Sequence, residues 1–151
     1  WIEEGHAFIG MHSASDTFHK FTPYLEMLGG EFETHGAQVP AGLIKMDKDH
    51  PATKGLPDPW NIKMEEMYLI KSYDRKKVRD LWALKHHPND KAKEGHYPVS
   101  WVKTAGKGKV FYTSLGHRED VWEHPEYQKH ILGGIKWALG LEQGSAEPQE
   151  K

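Results

Sequence analysis

The sequence predicts an α/β fold, and three observations carry that reading. Ala7-Phe-Ile-Gly-Met11 is a short unbroken apolar run, as expected of a strand covered on both faces. Val99 to Thr104 and Lys109 to Leu115 are two further strand-like runs joined by the turn Ala105-Gly-Lys-Gly108. Near the end of the chain, Tyr127, Ile131, Ile135, Ala138 and Leu139 recur on one side of a helix that starts at His124-Pro125 and stops at Gly140.

The elements follow in order. Trp1 to Glu4 reads as a helix end closed by Gly5, feeding a strand over His6 to Met11 and then a loop from His12 to Asp16. Thr22 as N-cap, Pro23 in the first turn, an apolar face of Tyr24, Leu25 and Leu28, and a Gly29-Gly30 stop define a short helix. Glu31 to Met46 alternates irregularly, with an extended stretch at Leu43 to Met46. Asp47 to Trp60 is dense in Pro, Gly and Asp and reads as a long loop.

Strands are expected at Glu66 to Ile70 and Val78 to Lys85, with a polar connection from His86 to Tyr97. The Gly106-Lys-Gly108 turn precedes a strand, which separates it from the phosphate loops that open a helix. Gly133-Gly134 costs about 1 kcal/mol per residue relative to alanine in an exposed helix, so a close helix-to-strand contact is expected there. The polar residues 142–151 lack periodicity and are expected to fray, leaving 1–141 as one domain.

Composition narrows the functional classes. The 151 residues are 37% hydrophobic and 28% charged, a soluble globular balance, and no apolar run is long enough to span a bilayer. A formal charge of -2, without a basic stripe, excludes the footprint of a nucleic-acid binder. The nearest basic cluster, Lys71 to Arg79, reads as a solvated face. Cysteine is absent, which removes disulfides, thiolate metal sites and a cysteine nucleophile. The chain opens without a targeting signal and starts as if in the middle of a domain.

Chemistry concentrates where two apolar strands end. The first runs into His12, followed by Asp16; the last runs into His117, with Glu119 two positions on. In open α/β sheets ligands sit beyond the carboxyl ends of strands, so the two imidazoles are expected to meet across one crevice.

The order of motifs resembles the ThuA-like family, associated with trehalose utilisation, within the wider class I glutamine amidotransferase-like superfamily. The segments that carry the resemblance are Gly5 to Ser13; Leu28 to Phe32 with His35; Asp49-His-Pro51 with Gly55-Leu-Pro57; Glu65 to Tyr68; and Gly106 to Tyr112 with Gly116-His-Arg-Glu119. Together they reach to about Leu141. The resemblance implies a flavodoxin-like three-layer sandwich, here lacking the family's usual N-terminal strands and helices. That gap leaves a sheet edge for another copy or a missing segment to cover. Where amidotransferases place their nucleophilic cysteine this chain has His12, so thioester chemistry is not expected.

The resemblance implies a carbohydrate as the small-molecule partner, of the trehalose or keto-sugar type, with neither nucleic acid nor membrane. His117 and Glu119 resemble the amidotransferase His-x-Glu pair, and with His12 they are the candidate catalytic residues. His12, Glu66 and His117 form a ligand set for a divalent metal such as zinc. Glu65 is the alternative to Glu66, because strand alternation sends the two carboxylates to opposite faces.

Asp16, His35, Arg118 and Trp122 are the candidate substrate-binding residues; Arg118 either meets a ligand carboxylate or pairs with Asp120. Trp60, Tyr68 and Trp101 are further candidates for stacking on a pyranose ring. The second reading is a non-catalytic sugar-binding or interaction domain on a degenerate amidotransferase scaffold.

Overall fold

The computed structural model describes residues 1–89 and 93–150. The chain opens on a 3-10 turn over Ile2–Glu4, in place of the expected helix end, and turns at Gly5 (φ 125°) into β1 (Ala7–Met11). A second 3-10 turn over His12–Ser15 leads to α1 (Thr22–Leu28). Thr22 lies inside this helix: Phe21 occupies the capping position, and no side chain among the described residues caps it. Gly29, left-handed at φ 89°, closes it as expected.

The remaining strands are β2 (Glu31–His35), β3 (Val39–Lys45), β4 (Trp60–Glu65), β5 (Tyr68–Lys71), β6 (Arg79–His86), β7 (Glu94–Ala105) and β8 (Gly108–Thr113). Two helices, α2 (Glu119–Trp122) and α3 (Pro125–Ala138), finish the fold. The polar connection expected from His86 to Tyr97 is shorter than anticipated, because β6 runs to His86 and β7 starts at Glu94; its residues 90–92 lie outside the described residues.

Six strands form one sheet in the order β1-β8-β7-β6-β3-β4. Only β1 and β8 pair in parallel; the other pairs in this sheet are antiparallel, so the result is a mixed α/β fold with few helices. Strands β2 and β5 form a separate antiparallel ribbon. Alternation along β8 splits the core in two. Phe111 packs with Trp82, Tyr127 and Trp137 on the α3 side, whereas Val110 and Tyr112 pack with Trp101 and Leu28 on the α1 side. Helices therefore cover β8 from both faces.

The paired glycines of α3 make close contacts. A Cβ on Gly134 would stand 2.5 Å from the Phe111 ring of β8, and one on Gly133 would stand 2.1 Å from the Pro51 carbonyl oxygen in the long loop. Glycine lets the helix sit directly on strand and loop.

Two expectations change. The strand expected over Glu66 to Ile70 is split, with β4 ending at Glu65 and β5 starting at Tyr68, because Glu65 turns its carboxylate onto the Glu66 N–H and the chain leaves the sheet there. The segment expected to fray is tied down instead. Gly144 accepts a bond from the Trp137 indole, Arg79 donates to the Glu147 carbonyl, and the Gln149 amide bonds both backbone groups of Asp80 and the Met46 carbonyl. Polar side chains hold this stretch, so hydrophobic periodicity gave no sign of it. No helix among the described residues is long and apolar enough to cross a membrane.

Candidate functional site

The parallel register of β1 and β8 sets Met11 opposite Thr113, so both strands end at one level of the sheet. The residues that follow share that rim, and the rings of His12 and His117 lie 5.1 Å apart. His12 has φ 45°, a left-handed conformation that costs a non-glycine residue about 1 kcal/mol or more. Its backbone is clamped there: the Tyr112 hydroxyl donates to the His12 carbonyl at 2.9 Å and lies 2.6 Å from the Ser15 hydroxyl. Burial holds the Tyr112 phenol neutral by raising its pKa.

Glu66 is the carboxylate that faces the imidazoles. Its Oε2 lies 3.3 Å from His12 Nε2 and 3.3 Å from His117 Nδ1, and its Oε1 lies 3.2 Å from His35 Nδ1. Glu65 points the other way and is fully buried. It accepts from the backbone N–H groups of Glu66 (2.7 Å), Gly116 (2.9 Å) and His117 (3.2 Å), and so fastens the turn that carries His117. The alternation left open by the sequence resolves into Glu66 as candidate ligand and Glu65 as the positioning residue.

His12 is the informative member. Its Nδ1 lies 3.2 Å from the Tyr68 hydroxyl, while Nε2 is buried and, among the described residues, makes no hydrogen bond of good geometry despite its nearness to Glu66. Burial lowers the pKa of this imidazole; the Glu66 carboxylate opposes that effect and His117 adds to it. In the tautomer whose Nδ1–H bonds Tyr68, Nε2 turns a lone pair toward a carboxylate oxygen, an arrangement that a cation relieves. Burial first, then the nearby Glu66, pushes the Tyr68 phenol up, so it remains a neutral partner.

The ligand atoms of His12, Glu66 and His117 all lie within 4.8 Å of one another. Two ligands each about 2.05 Å from a tetrahedral zinc stand about 3.3 Å apart, and the two closest separations here are 3.3 Å. The residues therefore fit a three-ligand site with an open position.

His35 joins this group because β2 pairs with β5 in a register that sets it opposite Tyr68. Other expected site residues lie elsewhere. Asp16 pairs with His19 at 2.9 Å. Glu119 is exposed in the first turn of α2, and among the described residues no hydrogen bond or ion pair joins it to His117. Arg118 pairs with Asp120 (2.7 and 3.3 Å) and donates to Gln38 Oε1 at 2.8 Å. Trp122 is 42% exposed, its indole donating to the Gly116 carbonyl at 2.8 Å. Trp60 and Trp101 are buried in the two cores, which removes them as stacking platforms.

Sequence reasoning missed the positioning roles of Glu65, Tyr68 and Tyr112, and missed Gln38 altogether. The Glu65-Glu66-Met-Tyr68 run was the available signal for the first two. A solvent-open cavity of about 350 Å³ adjoins the group and is lined by Gln38, His117, Arg118, Glu119 and Asp120. A larger one, about 430 Å³, lies by α1 and Lys103 and contains none of the clustered residues.

A family model described as ThuA, trehalose utilisation, matches residues 1–138, and the chain belongs to that family. No protein of curated function matches it. Among solved structures it is similar to a ThuA-like protein from Parabacteroides merdae ATCC 43184 (20% identity, TM-score 0.77), covering 99% of this chain and 66% of that one. A ThuA-like protein from Bacteroides uniformis ATCC 8492 is similar at 23% identity and TM-score 0.76, over 99% and 64% of the two chains. The chain thus spans about two thirds of the length of these relatives. A cold-adapted β-galactosidase from Rahnella sp. R3 shares the fold at 14% identity and TM-score 0.56, over 98% of this chain and 21% of that one.

Proposed function

We propose that this ThuA-family chain acts on a carbohydrate at the sheet-end cluster, where His12, Glu66 and His117 hold a divalent cation such as zinc. The carrying observation is the convergence of three ligand atoms within 4.8 Å, one of them a buried imidazole nitrogen without a well-formed hydrogen bond among the described residues. The family description, trehalose utilisation, supports a sugar as substrate. The β-galactosidase neighbour, a carbohydrate enzyme, contains the same fold over 21% of its chain, which agrees with that choice. The helices on both faces of β8, beside the parallel β1, support a flavodoxin-like sandwich as the parent architecture.

A cation bound there would polarise a sugar oxygen or lower the pKa of a water. The protein's own groups do the rest. Tyr68 fixes the ring orientation of His12, Glu65 fixes the His117 turn, and His35, whose Nδ1 donates to the Gly36 carbonyl at 2.8 Å, stands beside the far oxygen of Glu66. The open cavity beside His117 admits the ligand. Glutamine hydrolysis through a thioester has no nucleophile here, since the chain contains no cysteine.

The test is zinc stoichiometry after dialysis, together with turnover of trehalose and a keto-sugar glycoside, in the unmodified chain and in His12→Ala and His117→Ala. Loss of zinc and of turnover in both variants supports the reading; unchanged values in both refute it. The exposed placement of Glu119, which among the described residues no hydrogen bond or ion pair joins to His117, favours a second reading, a sugar-binding domain without catalysis. Calorimetry showing saturable sugar binding with neither turnover nor metal dependence would select it.

A further inference from the structure

We propose that the cavity beside His117 selects neutral, hydroxyl-rich ligands and rejects phosphorylated or carboxylated ones, an inference that rests on the carbohydrate reading above. Arg118 is the cation lining this cavity, and its receptor edge is already filled. The Nε and Nη2 groups that would grip a ligand carboxylate or phosphate in a fork hold Asp120 at 2.7 and 3.3 Å, and Nη1 donates to Gln38 at 2.8 Å. Arg118 in turn holds the Asp120 carboxyl below its usual range, so the pair stays ionic at neutral pH.

Glu119 adds a second carboxylate to the lining, and Glu66 stands behind His117. Along the lining one guanidinium thus faces two carboxylates, those of Glu119 and Asp120. An arriving anion meets a guanidinium fork already occupied and, in the metal-free chain, the carboxylates beside it.

The same groups suit hydroxyls, which both donate and accept. With its oxygen accepting from Arg118, the Gln38 amide keeps both N–H bonds to donate, and Glu119 offers acceptor oxygens. Trp122, held against the same turn through the Gly116 carbonyl, presents a partly exposed indole that suits the apolar face of a sugar ring. The recognised class is therefore an uncharged sugar, bound by donors and acceptors without charge pairing.

Calorimetry at fixed ionic strength would compare trehalose with trehalose 6-phosphate, and methyl glucoside with glucuronate, on the metal-free chain. The neutral member of each pair is expected to bind at least about tenfold more tightly. Gln38→Ala is expected to weaken the neutral ligands severalfold. Glu119→Gln with Asp120→Asn, both at exposed positions, removes two carboxylates and loosens the hold on Arg118, and is expected to strengthen the anionic ligands about tenfold; Glu119→Gln alone gives part of that change.

Anions binding as tightly as their neutral counterparts, discrimination unchanged in the double variant, or binding of none of the four probes would overturn the proposal. Zinc uptake, followed separately through His12→Ala and His117→Ala, keeps the two ideas apart. Zinc uptake without charge discrimination sinks this inference alone, whereas discrimination without zinc uptake sinks the metal reading alone.

Discussion

Acidification is expected to unfold this protein through two histidines that lie outside the candidate site. His130 of α3 and His50 of the long loop are both buried, and both imidazoles bind the Ala52 backbone: His130 Nδ1 donates to its carbonyl at 2.8 Å, and His50 Nδ1 accepts from its N–H at 3.2 Å. The other nitrogen of each ring has no hydrogen-bond partner among the described residues. Burial lowers each pKa from 6.5 to about 4; for His50 the Asp47 charge opposes this, and for His130 the Ala52 bond opposes it while His50 adds to it.

In the unfolded chain both rings take up protons below about pH 6.5, whereas the folded protein resists until about pH 4. The contribution of these two rings is therefore full above 6.5, falls between 6.5 and 4, and levels off below. At about 1.4 kcal/mol per pH unit, each ring contributes about 3 kcal/mol to that loss. Together they exceed the lower end of total domain stability, about 5 kcal/mol.

Urea unfolding followed by tryptophan fluorescence at pH 7.5, 6.0, 5.0 and 4.5 would measure the slope. His130→Gln, which keeps a donor for Ala52, is expected to lower stability at neutral pH but to flatten the acid slope by about 1.4 kcal/mol per pH unit, one proton's worth. Parallel slopes in the two proteins would refute the assignment.

Two further outcomes follow from packing and hydrogen bonding. Gly133→Ala places a Cβ 2.1 Å from the Pro51 carbonyl oxygen; it is expected to lose about 1–3 kcal/mol despite alanine's better helix propensity. The exposed Leu132→Ala serves as a near-neutral control in thermal melts, and a stabilised Gly133→Ala would contradict the contact. Glu65→Ala orphans three backbone N–H groups and is expected to lose about 3 kcal/mol or more, with weaker zinc uptake. An unchanged melting temperature and zinc affinity would show that Glu65 does not hold the His117 turn.

Much of the architecture was legible because it rests on short-range pattern. The apolar run of β1, the glycine turn between β7 and β8, and the Pro125 start and Gly140 stop around α3 announce themselves within a few residues of where they act. The break between β4 and β5 did not, because Glu66 to Ile70 is itself a plausible strand. What divides it is the Glu65 carboxylate reaching backbone groups 51 and 52 residues away. The docked residues 144–150 escaped notice for a similar reason, since Gln149 holds them by hydrogen bonds to Asp80 and Met46.

Sequence alone determined that two apolar strands end in histidine, that thiol chemistry is excluded, and that the motifs run in the order of the ThuA family. Tertiary structure decided which carboxylate faces those histidines, brought His35 in through the β2–β5 pairing, and left Glu119 on the surface. Hydrophobic periodicity is a property of neighbours along the chain, whereas a site depends on the register and direction in which distant strands pair, and those emerge only when the whole sheet packs.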